Sequence, residues 1–330
     1  MASPNPANKI PAGTPQTIDA ARYLGISPIR HVKPEWRIIV AERAFRPNPE
    51  NPQADWLPTV VAPAMQLIVE DIGPVKSFAS IGAGAGVDIL TGIEILGATV
   101  VGATDVFPDI TEAAEWNIRQ NLKDEHPVDV HVNHGDLLTP LKGRDLSFDV
   151  IYENLPNIPL ADASALEEKH TSSNFVPPRT EKIPQFAHDK LLALHYVALR
   201  QSLEFLSANG FVISTLGGRV PLEYFSRLAA ESGLTPSFLS YSWKLQALGE
   251  EVLPSYADLE TRGLGPFYYY PVDALEKTFK GVSTRDSGLR AVEIEKELLP
   301  HRLTAAQAWK AYQEGLRIGH TVAVLKSARR

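Results

Sequence analysis

Tyr152-Glu153-Asn154-Leu155-Pro156-Asn157 decides the fold reading, because the apolar segment 148–151 runs directly into it. Upstream lie a glycine turn, Gly82-Ala83-Gly84-Ala85-Gly86, and an acid, Asp105, that closes the apolar segment 99–104. Short apolar segments, each ending in a chemically specific residue, mark an α/β sheet whose strand ends hold a ligand.

Working outward, runs at 77–81, 99–104, 128–132, 148–152 and 210–215 read as strands, with 237–246 and 319–326 as two more. Between them, 88–96, 109–122, 186–206 and 222–232 read as helices, with Asp109 as the cap of the second. This alternation imposes right-handed crossovers and a mainly parallel sheet with helices on both faces. Strands covered on both faces are continuously apolar, as these largely are. Ahead of the alternation, 1–16 reads as a tail, 17–24 and 57–70 as helices, and the proline-rich 46–55 as a loop closed by Trp56. The expected organisation is a tail and helical lid at 1–75, a core at 76–248, an insertion at 249–303, and a closing helix with the last strand at 304–330. The aromatic run Phe267-Tyr268-Tyr269-Tyr270-Pro271 falls in the insertion.

Composition narrows the function classes. The chain has 330 residues, 44% of them hydrophobic and 22% charged, which suits a globular protein with a sizeable core. A formal net charge of -7, with no dense Lys/Arg cluster, argues against a nucleic-acid partner. No apolar run approaches a membrane span, and the N-terminus lacks a signal-peptide pattern, so a soluble cytoplasmic protein is expected. The absence of cysteine excludes disulfides, thiolate metal sites and cysteine nucleophiles. His131, His134, His188, His195 and His320 show no metal-like grouping, so no metal is expected.

Gly82, Gly84 and Gly86 let a backbone approach a ligand closely at a helix N-terminus. Two ligand readings compete for such a turn: a dinucleotide fingerprint and the first motif of class I methyltransferases. Asp105 suits the two hydroxyls of a ribose in either. An NAD-dependent dehydrogenase predicts a further glycine at position 87, which is Val87, and leaves Asn154-Leu155-Pro156 unexplained.

That last step resembles the (Asn/Asp)-Pro-Pro-(Tyr/Phe) motif of amino- and amide-methylating enzymes, with Leu155 for the first proline and Asn157 for the aromatic. Asp136 in Gly135-Asp136-Leu137-Leu138 matches the acid that follows the third strand of class I methyltransferases. The approach segment Asp55-Trp56, the series 207–219 (SANGFVISTLGGR) and the segment 306–323 resemble the methyltransferase domain of methionine S-methyltransferase, in the glutamine-methyltransferase-like branch. The resemblance covers roughly residues 55–326, with a gap at the insertion. It implies a Rossmann-like sheet with an antiparallel last strand, and S-adenosyl-L-methionine as cofactor. Its implied cofactor contacts are Ser80, Gly82, Gly84, Gly86, Asp105, Asp136, Leu137, Asn154 and Leu155. The side-chain oxygen of Asn154 and the following carbonyl would orient an attacking lone pair, which is positioning and electrostatic work. Tyr152 and Glu153 are the adjacent groups for an amine acceptor's proton.

The departures bear on the reaction. The first motif opens with an acid in the family, and Ser80 stands there. Arg219, after two glycines, suits a substrate carboxylate. Tyr241 and Trp243 lie near strand ends, Asn157 beside the motif, and Tyr23 and Trp56 in the lid, as further substrate contacts. Methyl transfer to a small amino-acid-like sulfur or nitrogen nucleophile is the first expectation. The alternative is cyclisation of the cofactor itself, of the azetidine-2-carboxylate synthase type, releasing methylthioadenosine. Small molecules are the expected partners, and a homodimer is the one assembly left open.

Overall fold

The computed structural model describes residues 10–157 and 179–329, so residues 1–9 of the expected tail lie outside it. The described chain forms two compact units. The first takes residues up to 153 together with 201–211, and the second takes 154–157, 179–200 and 212 onward.

The first unit opens with an antiparallel hairpin, β1 (Thr14–Asp19) and β2 (Glu35–Val40), separated by the one-turn helix α1 (Ala20–Leu24). The helix expected over 17–24 is thus strand for its first half. The switch occurs at Asp19, whose carboxylate accepts from the Arg22 N–H at 2.9 Å and caps α1. The next helix starts with a wide turn at Leu57–Val61 and continues as α2 (Ala62–Ile72). Then come β3 (Ser77–Ile81), α3 (Val87–Thr91) with a wide turn to Leu96, β4 (Val100–Asp105), α4 (Pro108–Gln120), β5 (Asp129–His134) and β6 (Phe148–Glu153). Every residue of β3 is buried, its two serines included. Helix packing over β3 is close: a Cβ on Gly92 would sit 2.5 Å from the Phe78 ring.

Two side-chain clamps attach the N-terminal part. The buried Glu94 carboxylate accepts from the backbone N–H groups of Arg30, His31 and Val32 at 2.7–3.1 Å. On α4, Asn117 bonds the N–H and C=O of Ile39, and Asn121 does the same to Arg37. A second donor bond of Asn117 reaches the Ala85 carbonyl in the glycine turn at 2.9 Å. Asp109 does not cap α4. Phe107 occupies that position with no side-chain cap and Pro108 begins the helix, while Asp109 pairs with Arg43.

In the second unit, the helix expected over 186–206 is two helices, α5 (Gln185–Asp189) and α6 (Ala193–Ser202). Leu191 between them is left-handed (φ 59), and the Leu192 N–H returns to the Ala187 carbonyl at 2.7 Å, closing α5 in a Schellman-like turn. Strand β7 (Leu206–Gly218) belongs to both units. After it come α7 (Leu222–Glu231), β8 (Leu234–Leu245), α8 (Gly249–Thr261), β9 (Tyr268–Pro271), α9 (Val272–Phe279), α10 (Thr284–Leu289), α11 (Ala291–Leu298), β10 (Leu303–Thr304), α12 (Ala305–Gln313) and β11 (Ile318–Arg329). The aromatic run of the insertion is therefore a strand, paired with β11 and β10.

Hydrogen-bonded neighbours follow the order β5-β4-β3-β6-β7-β11, with β8 on β11. The pairs β3–β4, β3–β6 and β4–β5 are parallel, and β11 is antiparallel to β8 and β9. This is a mixed, mostly parallel Rossmann-like sheet with flanking helices and an antiparallel last strand. The winding runs β3, β4, β5 to one side and resumes with β6 on the other, so the switch point lies between β3 and β6.

Candidate active site

At the switch point, β3 and β6 end level, with Ile81 paired to Glu153. The glycine turn leaves β3 there and Asn154 leaves β6. Gly82, Gly84 and Gly86 all have positive φ (81°, 49° and 75°), a shape that side chains with a Cβ resist. Their reasons differ. Gly86 is packed, since a Cβ would lie 3.1 Å from the Ala114 carbonyl of α4. Gly84 faces open space, with nothing within 4 Å of such a Cβ, and Gly82 is exposed. Bonds from the Gly82 and Ala83 N–H groups to the Thr104 carbonyl, both 2.8 Å, fix the turn against β4. The result is a rigid backbone cradle with an open face.

Asp105 sits at its side. One carboxylate oxygen accepts from the Gly84 N–H at 3.3 Å and the other from the Phe107 N–H at 3.1 Å. Burial raises its pKa, and backbone donors, Phe107 first, oppose the shift. The Asp105 carbonyl accepts from Gly135 N–H at 2.8 Å, tying the ends of β4 and β5 together. Just beyond, Leu137 is held at φ 45, a left-handed position for a non-glycine residue, next to the half-buried Asp136. Strain of this kind costs about 1–2 kcal/mol and persists where the surroundings impose it.

Ser80 is 1% exposed, one residue from the end of β3, in register with Ala103 and Tyr152, and its Oγ meets no hydrogen-bond partner. Tyr152 and Glu153 are buried in β6. Asn154 is exposed and Leu155 buried. In the second unit, the Asn157 amide donates to the Leu191 carbonyl at 3.2 Å, so the left-handed break after α5 anchors the motif's last residue.

Tyr23 is buried, its hydroxyl 2.7 Å from the Asp55 carboxylate and its ring edge-on to Trp36. Burial, then Asp55, raises its pKa, so the phenol stays protonated. Trp56, half-buried, starts the wide turn before α2. The field at Tyr23 includes Asp88, in the first turn of α3. The Asp88 carboxylate has no hydrogen bond or ion pair among the described residues, and burial pushes its pKa up to about 7. Sequence reading passed over Asp88, because an acid in a first helical turn looks like a dipole partner.

The second unit holds its own polar centre. Arg219 follows β7, and its guanidinium donates to Gln246 Oε1 at 2.8 Å and lies 3.4 Å from His320 Nε2. The rings of Tyr256 and Tyr269 lie 5.1 and 5.7 Å from its central carbon. Burial lowers its pKa, and the fields of the two tyrosines more than offset this, so it stays charged. Burial above all, with Arg219 and Lys244, holds His320 well below its ordinary range and therefore neutral. Tyr256 was not anticipated; it lies on α8, in sequence far from any strand end. Tyr241 is 1% exposed, packed on Phe279, and bonded through its hydroxyl to Thr321. Trp243 is half-buried on β8 opposite Thr321.

Among the described residues, no group of three or more His, Asp or Glu is arranged to hold a metal, and no helix is long and apolar enough to cross a membrane. No family model matches the sequence, and no curated protein matches it. Several solved structures are similar. The YcgJ protein from Bacillus subtilis shares 12% identity over 81% of this chain and 98% of its own, with a TM-score of 0.43. The N-methyltransferase NodS from Bradyrhizobium japonicum, solved with S-adenosyl-L-homocysteine, shares 12% over 62% of this chain and 88% of its own, at 0.39. The sugar N-methyltransferase KedS8 from a Streptoalloteichus species shares 13% over 54% and 81%, at 0.33. The likeness is one of fold and goes no further.

Proposed function

We propose that the chain is an S-adenosyl-L-methionine-dependent transferase acting on a small amino-acid-like molecule. The observation that carries this is the level ending of β3 and β6, which starts the left-handed glycine turn and Asn154 from the same edge of the sheet. The cradle fits the cofactor: Gly84 leaves open the space a side chain would fill, and Asp105 offers carboxylate oxygens for a ribose. When bound, the cofactor supplies an electrophilic carbon on a sulfonium. The chain's own work is to bind, orient and exclude water. Asn154, exposed where the chain leaves β6, offers an amide oxygen to an attacking nitrogen or sulfur.

A second reading has one observation in its favour. Ser80 stands where the family's acid would meet the cofactor's ammonium, and its orphaned Oγ brings no anion to that position. An ammonium without that counter-charge loses its proton more readily, and the free amine could close a four-membered ring on its own γ-carbon. Incubation with S-adenosyl-L-methionine alone separates the two. Methylthioadenosine without an added acceptor supports cyclisation, and adenosylhomocysteine only with an acceptor supports transfer. No product and no cofactor binding would sink both.

A further inference from the structure

A cation drawn partly out of water is favoured by a counter-charge, which offsets its desolvation. Arg219 has none among the described residues. Its polar neighbours are an amide, a neutral imidazole and two phenols. Gln246 is itself oriented, its amide donating to the Ala247 carbonyl at 2.7 Å. Glu260, whose charge reaches Tyr269, is taken up by the N–H groups of Phe267 and Ala305 at 2.8 and 3.4 Å. The guanidinium and the Tyr256 and Tyr269 phenols act on one another at close range, and a phenol oxygen can accept from the cation but brings it no charge. Neither Arg219 Nε nor the Tyr269 hydroxyl meets a partner in full hydrogen-bonding geometry. Buried polar atoms are rarely left so, and two of them beside a guanidinium that has no carboxylate partner suit an added anion.

We propose that Arg219, with Tyr269, Gln246, His320 and Tyr256, forms a binding site for the carboxylate of a small molecule. The planar guanidinium matches a carboxylate, which can take one bond from Nε and another from the Tyr269 hydroxyl. The tyrosine rings flank the cation. Neutral His320 adds no second positive charge, so a monoanion suits the site better than a phosphate. This gives the proposed acceptor its chemical class and rests on the transferase reading only for the name "acceptor"; the site itself is independent of the cofactor.

The test is therefore run without cofactor. Full-length chain labelled at arginine Nε is titrated with L-2-aminobutyrate and, separately, with L-2-aminobutyramide. The Arg219 Nε–H resonance, assigned by its loss in R219M, is expected to shift saturably with the acid and at least tenfold more weakly with the amide. Tyr269→Phe, which keeps the cation, is expected to weaken the acid severalfold without lowering the melting temperature. A resonance indifferent to the acid, or equally responsive to acid and amide, overturns the proposal. So does a Y269F chain that binds as the parent does. Cofactor binding, measured separately, shows whether the transferase reading fails as well.

Discussion

Replacing Asp88 by Asn offers a test whose sign and size both come from the fold. The folded carboxyl titrates near 7, against 3.8 for the free group, because burial opposes its charge and no donor offsets it. At about 1.4 kcal/mol per unit, the ceiling on this penalty is about 4 kcal/mol. Asp88 keeps a partly accessible surface, and solvent screening reduces the working figure to about 2–3 kcal/mol. The unfolded chain releases this proton near pH 4 and the folded chain near 7, so the folded state binds more protons between them. Stability contributed by the protonated form is then present below pH 4, falls as pH rises, and is fully lost above about pH 8. Asn cannot ionise, so the variant escapes the loss. Urea unfolding of parent and D88N at pH 5, 6, 7 and 8 is expected to show the variant's advantage growing by about 2 kcal/mol across the series, at unchanged denaturant slope. Carbon-13 titration of the aspartate carboxyls reads the same group directly. A stability difference that stays flat with pH, or an Asp88 carboxyl titrating near 4, refutes the reasoning.

Asp105→Asn is expected to keep the fold and weaken S-adenosyl-L-methionine binding by one to two orders of magnitude, measured calorimetrically, since a charged acceptor bond is worth about 1.5–3 kcal/mol. Gly86→Ala, forced into a left-handed position against the Ala114 carbonyl, is expected to cost about 1–2 kcal/mol or more in thermal unfolding. Asn154→Ala is expected to lower turnover at least tenfold while cofactor affinity changes little, read as a fall in kcat with an unchanged Kd. Asn117→Ala, which strands both backbone groups of Ile39, is expected to cost about 3 kcal/mol in urea unfolding.

The central strands were legible because burial on both faces favours apolar residues, and 77–81 and 148–152 are largely apolar, interrupted by Ser77, Ser80 and Asp149. The glycine turn was legible for a similar reason: three positive-φ positions admit little but glycine. The β1–β2 hairpin was not. In β1 only Ile18 is buried, so the segment has no alternation to read, and its pairing is imposed from outside. The break at Leu191 carries no sequence mark, because Leu is an ordinary helix residue held left-handed by its surroundings. The same holds for the Arg219 cluster. Arg219 alone was read as a carboxylate partner; the others come from α8, β9 and β11 and the residue after β8, and only the folded chain brings them to the residue after β7.

Asn117 and Asn121 make α4 a ruler for the hairpin. Four residues of helix rise about 6 Å, and two residues of strand span about 6.8 Å, so amides four apart can read alternate residues of β2. They fit only when Arg37 and Ile39 turn their backbone groups outward. A hairpin slipped by one residue would offer them the wrong face, so its register is checked by a helix rather than by its own turn. The same pair occupies the groups through which an edge strand would recruit a strand from another molecule, and so guards the chain against that route to aggregation.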